Sequence, residues 1–280
     1  RSYSVTGVQT CALPICGVMG DIWWETSVPR LFAIGEANGS HGVHRPGGSA
    51  LNAGQVGGIR AAEKIVYGQN NDLELSAPSS YIIKLFPKKK AEFIDGILKL
   101  INVKNSATST PDEIRKEMQD QMMRNAAYIR DPDFIIKSVD YCGKLLHTLW
   151  TNSVIKSAED LIAVLKINDA LYTQFAILAS LHKYLELGGG SRGSYVVLDG
   201  KNNPVKNYDK DLLNRYTFRL ENIALKELII QFRLMEPLSN LLNNSPLICE
   251  VKTENRRPLL ADERWFETVW REYDERKLWR

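Results

Sequence analysis

Glu36, His41 and Arg45 fall inside one short stretch, "GEANGSHGVHRPGGSALNAGQVGG" (residues 35 to 58), which also holds eight glycines and a second histidine, His44. These residue types suit contacts with a small polar ligand. A carboxylate accepts hydrogen bonds from sugar-type hydroxyls, and a guanidinium is a planar, permanently charged fork that matches a carboxylate bidentately. Taken singly each has an ordinary explanation: an Arg before a turn is commonly a surface charge, and a loop His fills a hydrogen-bonding gap. Their joint placement around Gly47 and Gly48 is what favours a site. His41 and His44 are three apart, but no carboxylate or Cys stands at ligand spacing, so no metal site is expected.

The elements that must position these groups flank them. "SVPRLFAIGEANG" reads as a short buried strand, Leu31 to Ile34, running into a Gly-rich turn. Glu36 then stands at the C-terminal end of a strand, where nucleotide ligands bind in open α/β sheets. Gly47, Gly48 and Ser49 open a helix predicted to reach about Tyr67. The free N–H groups and positive dipole end of its first turn can meet negative charge in the same crevice. A reduced flavin develops such charge at its N1 and C2 carbonyl edge, and donors fixed there beforehand stabilise it without reorganisation. Glycine at 47 and 48 would let the ring's edge approach the backbone. Farther along, Ala50, Gly54, Gly57 or Gly58, and Ala61 recur at helical spacing, so one helix face can lie close to a sheet or to a ligand.

Residues 68 to 79 read as polar linker, and four helical segments are predicted over about 80–103, 111–130, 133–152 and 158–187. The second starts with Thr110, Pro111 and Glu113, a capping box with Pro at the first helical position, and its Ile114, Met118, Met122 and Ala126 form an apolar stripe that reads as core. The fourth carries Leu161, Leu165, Leu171, Phe175, Leu178 and Leu185 and stops at Gly188, Gly189 and Gly190. "SRGSYVVLDG", "ELIIQFRL" and "LICEVK" are strand candidates, the first ending in an Asp-Gly turn. The tail, "ADERWFETVWREYDERKLWR", reads as a helix whose Trp265, Phe266, Val269, Trp270 and Tyr273 are expected to dock onto the chain's own body, with a partner-binding stripe as the alternative.

"VPRLFAIGEANGSHGVHRPGGSALNAGQVGGIRAAE" (residues 28 to 63) resembles the C-terminal FAD-binding motif of the succinate dehydrogenase and fumarate reductase flavoprotein family: strand, Gly-Glu, a loop with His-Gly, then Asn-Arg-Leu-Gly-Gly-Asn-Ser-Leu and a helix. A looser likeness runs through the helical block to Gly-Ser-Arg-Gly at 190 to 193, for which a strand-entry turn is an equally good explanation. The resemblance implies an FAD-dependent oxidoreductase that transfers hydride between FAD and a small dicarboxylate such as fumarate or succinate. Glu36 would hold a sugar-type hydroxyl of FAD. Gly47, Gly48, Ser49, Ala50 and Leu51 would offer backbone contacts to the flavin, Arg45 would clamp a substrate carboxylate, and His41 would lie near the substrate end. His44 and Pro46 replace the family's Asn and Leu, which leaves L-aspartate oxidase-like and adenylylsulfate reductase-like relatives open, and a non-catalytic helical interaction module is the alternative from another class. Arg30 stands where relatives tend to have Gly, a turn change expected to be harmless.

The expected fold is an α+β fragment: residues 17–71 the C-terminal part of an FAD-binding α/β domain, 72–190 a helical-bundle domain, 191–280 a small mixed α/β region. No GxGxxG follows a strand, so the FAD pyrophosphate loop and the family's capping domain are expected upstream of this sequence. Residues 1–16 are expected to be foreign to the protein, because Val5 to Ile15 reads codon by codon as a common short-read sequencing adapter. As an isolated polypeptide the fragment is expected to be inactive and to bind FAD weakly if at all. Setting aside Cys11 and Cys16 leaves Cys142 and Cys249, which suggest neither a disulfide framework nor a metal knot and fit a reducing compartment. With 36 Lys and Arg against 33 Asp and Glu, and Lys88 to Lys90 the only basic run, nucleic acid is not an expected partner. No stretch approaches the 18 or so consecutive apolar residues of a membrane span. The resemblance implies an electron-transfer subunit or domain as partner, and with it a location that is cytoplasmic or peripheral to a membrane through that partner.

Overall fold

Apolar residues at helical spacing, behind a polar cap at the start of three of the four main helices, build the helical part of the described residues. The computed structural model describes residues 17–39, 48–67, 87–98 except 89 and 93, 107–192, 195–199, 217–234 and 249–255. They show mixed helix and strand, and contacts divide them into two units.

One unit contains residues 17–67. Its N-terminal part folds back on itself through isolated antiparallel bridges, Gly20 to Thr26 and Glu25 to Phe32. The reversal between them is a turn at Val28–Leu31, where Leu31 N–H donates to the Val28 carbonyl at 3.1 Å. Pro29 occupies the second position and Arg30, at φ 69°, the third, the signature of a type II turn that favours glycine there. The expectation that an Arg in place of Gly is harmless is thus corrected: a Cβ is being held in the left-handed region. The buried strand expected at Leu31–Ile34 is also corrected. Only a bridge at Phe32 forms, Ala33 alone is buried, and Leu31 and Ile34 are exposed. The partner of this segment is the preceding antiparallel arm, and the turn directs alternate side chains outward. A short 3-10 helix, Gly35–Asn38, follows, and then α1, Ser49–Tyr67.

The other unit is centred on three helices, α2 (Pro111–Asn125), α3 (Pro132–Asn152) and α4 (Ala158–Glu186). Local chemistry fixes each start. Thr110 and Glu113 form the expected capping box, with Thr110 N–H donating to Glu113 Oε2 at 2.8 Å and Glu113 N–H to Thr110 Oγ1 at 3.3 Å. Asp131 caps α3, and Ser157 with Asp160 makes a second capping box on α4. The end of α4 is a Schellman motif: Gly188, at φ 80°, donates to the Leu185 carbonyl and Gly189 donates to that of Tyr184. Between the helices lies the core. Ile135, Cys142, Leu146 and Leu149 of α3 meet Val164, Leu171, Phe175 and Leu178 of α4, and the stripe Ile114, Met118, Met122 and Ala126 joins them as expected. By length and composition α4 also passes as a membrane-spanning helix; Val164, Ile167, Leu171, Phe175, Leu178, Leu181 and Leu185 are nonetheless buried in this core, while Ile162 is exposed. Residues in the 87–98 stretch are helical, within the segment expected at 80–103.

The helix expected over 111–130 stops at Asn125. Ile129–Arg130 instead forms β1, parallel to β2 (Val196–Leu198) in register Ile129 to Val196 and Arg130 to Val197, and β2 pairs antiparallel with β3 (Phe218–Arg219). Arg130 is almost fully buried there. Its Nε donates to the carbonyls of Ala126 and Ala127, and its guanidinium stacks 3.6 Å from the Tyr195 ring centroid. Burial raises the Tyr195 hydroxyl well above the usual phenol range. "ELIIQFRL" forms a strand as expected, β4 (Leu228–Leu234), and it pairs with β5 (Cys249–Asn255), which overlaps the "LICEVK" candidate and runs beyond it. The aromatic tail lies outside the described residues.

Candidate functional site

Gly35 shows why the stretch that carries the candidate residues is rich in glycine. Its φ of 62° is left-handed, and a Cβ built on it would stand 3.2 Å from Gly54 Cα, so the 3-10 helix and α1 touch backbone to backbone. A Cβ at Gly57 would meet the Trp24 ring at 3.2 Å and Ile34 Cβ at 3.4 Å. Ala61 is buried on the same face. The small-residue face of α1 is therefore used against the chain's own 17–39 segment, the plainer of the two explanations for that spacing.

Gly48 behaves differently. It is exposed, its φ is not positive, and a Cβ there would meet nothing within 4 Å. Neither backbone conformation nor packing within the described residues calls for glycine at this position. It precedes the first turn of α1, where its carbonyl accepts from Asn52 N–H at 3.1 Å, and that turn contains no acidic residue. An open backbone at a helix start without negative side chains suits an anionic or carbonyl-rich ligand edge. Ser49 begins the helix, Ala50 is half-buried and Leu51 is exposed. These four positions and a flavin edge are compatible.

Glu36 sits in the 3-10 helix directly after Gly35, and its residue surface is exposed. The segment bearing it is fixed: Gly39 N–H donates to the Glu36 carbonyl at 3.0 Å, Val18 N–H to that of Ala37 at 2.8 Å, and Asn38 Nδ2 to that of Val18 at 3.1 Å. Because Gly35 abuts Gly54, Glu36 and the first half of α1 belong to one local assembly. His41, Arg45 and Gly47, with His44 and Pro46, lie outside the described residues.

Sequence reasoning overlooked the aromatic pair under this assembly. Trp23 is buried, and the Arg60 guanidinium lies 4.6 Å from its ring centroid and 5.4 Å from that of Trp24. These contacts tie the middle of α1 to the 17–39 arm by cation–π attraction. Adjacent tryptophans ahead of a Gly-rich turn were the available signal, but nothing in spacing tells which cation they meet.

The Ser-Arg-Gly at 191–193 finds its role in strand entry as far as it is described. Ser191 Oγ donates to the Arg219 carbonyl and accepts from Val197 N–H, and Arg192 pairs with Glu221 at 3.1 Å. A groove of about 540 Å³ in the helical unit, lined by Glu113, Glu117, Tyr141 and Lys144 among others, contains none of the expected site residues, and Glu113 is already committed to its cap. Among the described residues no three His, Cys, Asp or Glu side chains converge.

No family model matches the chain. It is 26% identical over 168 residues to a fumarate reductase (CoM/CoB) subunit from Methanothermobacter marburgensis, a match covering 59% of this chain and 28% of that protein. Its structure resembles a FrdA chain of E. coli quinol fumarate reductase with TM-score 0.57 at 16% identity, covering 89% of this chain and 37% of that one. A chain of a quinol-fumarate reductase solved with menaquinol molecules gives 0.53, also at 16% identity, over 87% and 37%. The chain thus spans well under half the length of the proteins it matches. The resemblance to fumarate reductase is borne out at the level of the chain: over part of its length it is similar to fumarate reductase chains and shares their fold there.

Proposed function

We propose that this chain is part of an FAD-dependent oxidoreductase of the fumarate reductase and succinate dehydrogenase type. The observation that carries the reading is the start of α1, where Gly48 leaves an open backbone that neither packing nor dihedral angle explains, beside the carboxylate-bearing Gly35–Asn38 turn. Bound FAD would supply the hydride acceptor or donor. Glu36 would accept a hydrogen bond from a sugar-type hydroxyl, and the backbone from Gly47 through Leu51 would approach the flavin's electron-rich edge, with the N–H groups of the first turn of α1 aimed at it. Arg45 would hold one carboxylate of the substrate through two parallel charge-assisted hydrogen bonds, and His41 would stand near the same end. Electrons would pass to another subunit or domain, placing the enzyme in the cytoplasm or at a membrane surface through that partner. In this reading residues 17–71 complete the FAD-binding domain, 72–190 form the helical domain and 191–280 the C-terminal region.

The test uses the protein with its upstream coding sequence restored. It should purify yellow, reduce fumarate with an artificial electron donor, and lose turnover in Arg45→Ala while retaining flavin absorbance. A colourless protein that takes up no added FAD ends the flavin reading; Arg45→Ala with full turnover ends the clamp. Because His44 and Pro46 depart from the family pattern, L-aspartate and adenylylsulfate belong in the same substrate panel.

A further inference from the structure

We infer that Asn38–Gly39 is a self-modification site held shut by the fold: when the 17–39 arm opens, Asn38 deamidates, and the acid it becomes no longer latches the arm. An asparagine followed by glycine is prone to this reaction because no Cβ on the second residue hinders its main-chain nitrogen. That nitrogen, on losing its proton, attacks Asn38 Cγ. The bond from Gly39 N to Cγ forms, the Cγ–Nδ2 bond breaks, and ammonia leaves. Water then opens the cyclic imide to aspartate or isoaspartate. The balance is one water taken up and one ammonia released, with no oxidant or reductant involved.

In the folded chain each group that must react is engaged elsewhere. Gly39 N–H donates to the Glu36 carbonyl at 3.0 Å, so the nucleophile is held through its own proton. Asn38 Nδ2 donates to the Val18 carbonyl at 3.1 Å, and swinging the amide onto Gly39 N would break that bond. Val18 N–H in turn donates to the Ala37 carbonyl at 2.8 Å, so Val18 grips the turn with both backbone groups. A Cβ on Gly17 would collide with Gly39 N and the Asn38 carbonyl carbon, which places the Gly17 backbone directly over the reactive peptide bond. A Cβ on Gly20 would come within 3.0 Å of Asn38 Nδ2. Gly39 sits at φ 70°, where glycine is favoured, and the latch to Val18 uses an amide at 38, so the turn's own stability creates the labile pair. The product cannot restore the latch. A carboxylate has no proton to donate to the Val18 carbonyl, and isoaspartate adds a carbon to the main chain of the turn. The change therefore runs one way, and it dismantles the 3-10 helix that presents Glu36.

The test ages the 280-residue chain in mildly alkaline buffer and follows the peptide containing Asn38 by mass spectrometry, in the native state and in guanidinium chloride. Deamidation in the native chain should be about tenfold slower or more, because it waits on opening of the arm. Gly17→Ala and Gly20→Ala should each speed the native reaction, with circular dichroism showing the helices intact. Asn38→Asp should raise hydrogen exchange of the Val18 and Gly39 amides about tenfold. Equal rates in the native and unfolded chain, or no reaction in the unfolded one, would overturn the inference. So would unaltered exchange in Asn38→Asp. Should Gly17→Ala unfold the arm outright, its rate must reach the guanidinium value, and a slow reaction there would also overturn it.

Discussion

Two glycines in the same stretch should respond oppositely to alanine. At Gly35 the new Cβ would be held at φ 62°, a conformation that costs an L-residue about 1–2 kcal/mol. It would also lie 3.2 Å from Gly54 Cα, a backbone atom that cannot swing aside, adding about 1–2 kcal/mol of overpacking. Gly35→Ala should therefore loosen the contact between the 3-10 helix and α1 by about 2–4 kcal/mol, the sum of those two terms. At Gly48 a Cβ meets open space and φ is ordinary, so the loss is confined to a less favourable residue at a helix start, below about 1 kcal/mol. Native-state hydrogen exchange of the α1 amides reads both changes locally. Protection should fall by about 30- to 700-fold in Gly35→Ala and by less than about sixfold in Gly48→Ala, at about tenfold per 1.4 kcal/mol, provided these amides exchange through opening of that contact. In the restored protein the order should invert for the cofactor: Gly48→Ala, with intact folding, should weaken FAD binding because a methyl group intrudes where the flavin edge is proposed to approach. Equal exchange in the two variants would refute the division of the glycines into packing and open positions, and unaltered FAD affinity in Gly48→Ala would refute its assignment to the cofactor.

Arg30→Gly should stabilise the 17–39 arm by about 1 kcal/mol, since glycine relieves the left-handed Cβ at the third turn position, measured as increased protection of its amides. Acid should melt the helix starts in a defined order of cause. Hydrogen bonds from Thr110 hold Glu113 below its ordinary 4.5, and the Lys156 backbone N–H, followed by Ser157, holds Asp160 below its ordinary 3.8. Because both folded values are depressed, the stabilisation is complete above those ordinary values and is lost as pH falls through the folded ones. Glu113→Gln and Asp160→Asn, which remove the titrating carboxylates, should each flatten this acid dependence in a circular dichroism titration, and unchanged titration curves would contradict it. Arg130→Lys should destabilise the helical unit by about 2–4 kcal/mol in urea unfolding, because an ammonium cannot both stack on Tyr195 and reach the carbonyls of Ala126 and Ala127 from the same depth.

Sequence alone determined the features that close within a turn or two of chain. Thr110 and Glu113 are three residues apart, the stripe from Ile114 to Ala126 repeats every four, and Gly188 follows directly on the last helical turn, so local hydrogen bonding and periodicity sufficed to read them. The family pattern over residues 28 to 63 was legible for the same reason, as a run of types in order. Tertiary structure decided what depends on a distant partner. Asp131 and Pro132 signal that a helix must end by Arg130, but nothing local stops it as early as Asn125; Val196 and Val197, far along the chain, pair with Ile129 and Arg130 as a strand. Likewise all the glycines of 35 to 58 look alike in sequence, and only the approach of Gly54 to Gly35 and of Trp24 to Gly57 separates those that seat a neighbour from Gly48, which leaves its backbone open. Spacing along a helix tells which residues share a face, but which of two faces is covered, and by what, is set by surfaces that the helix itself does not contain.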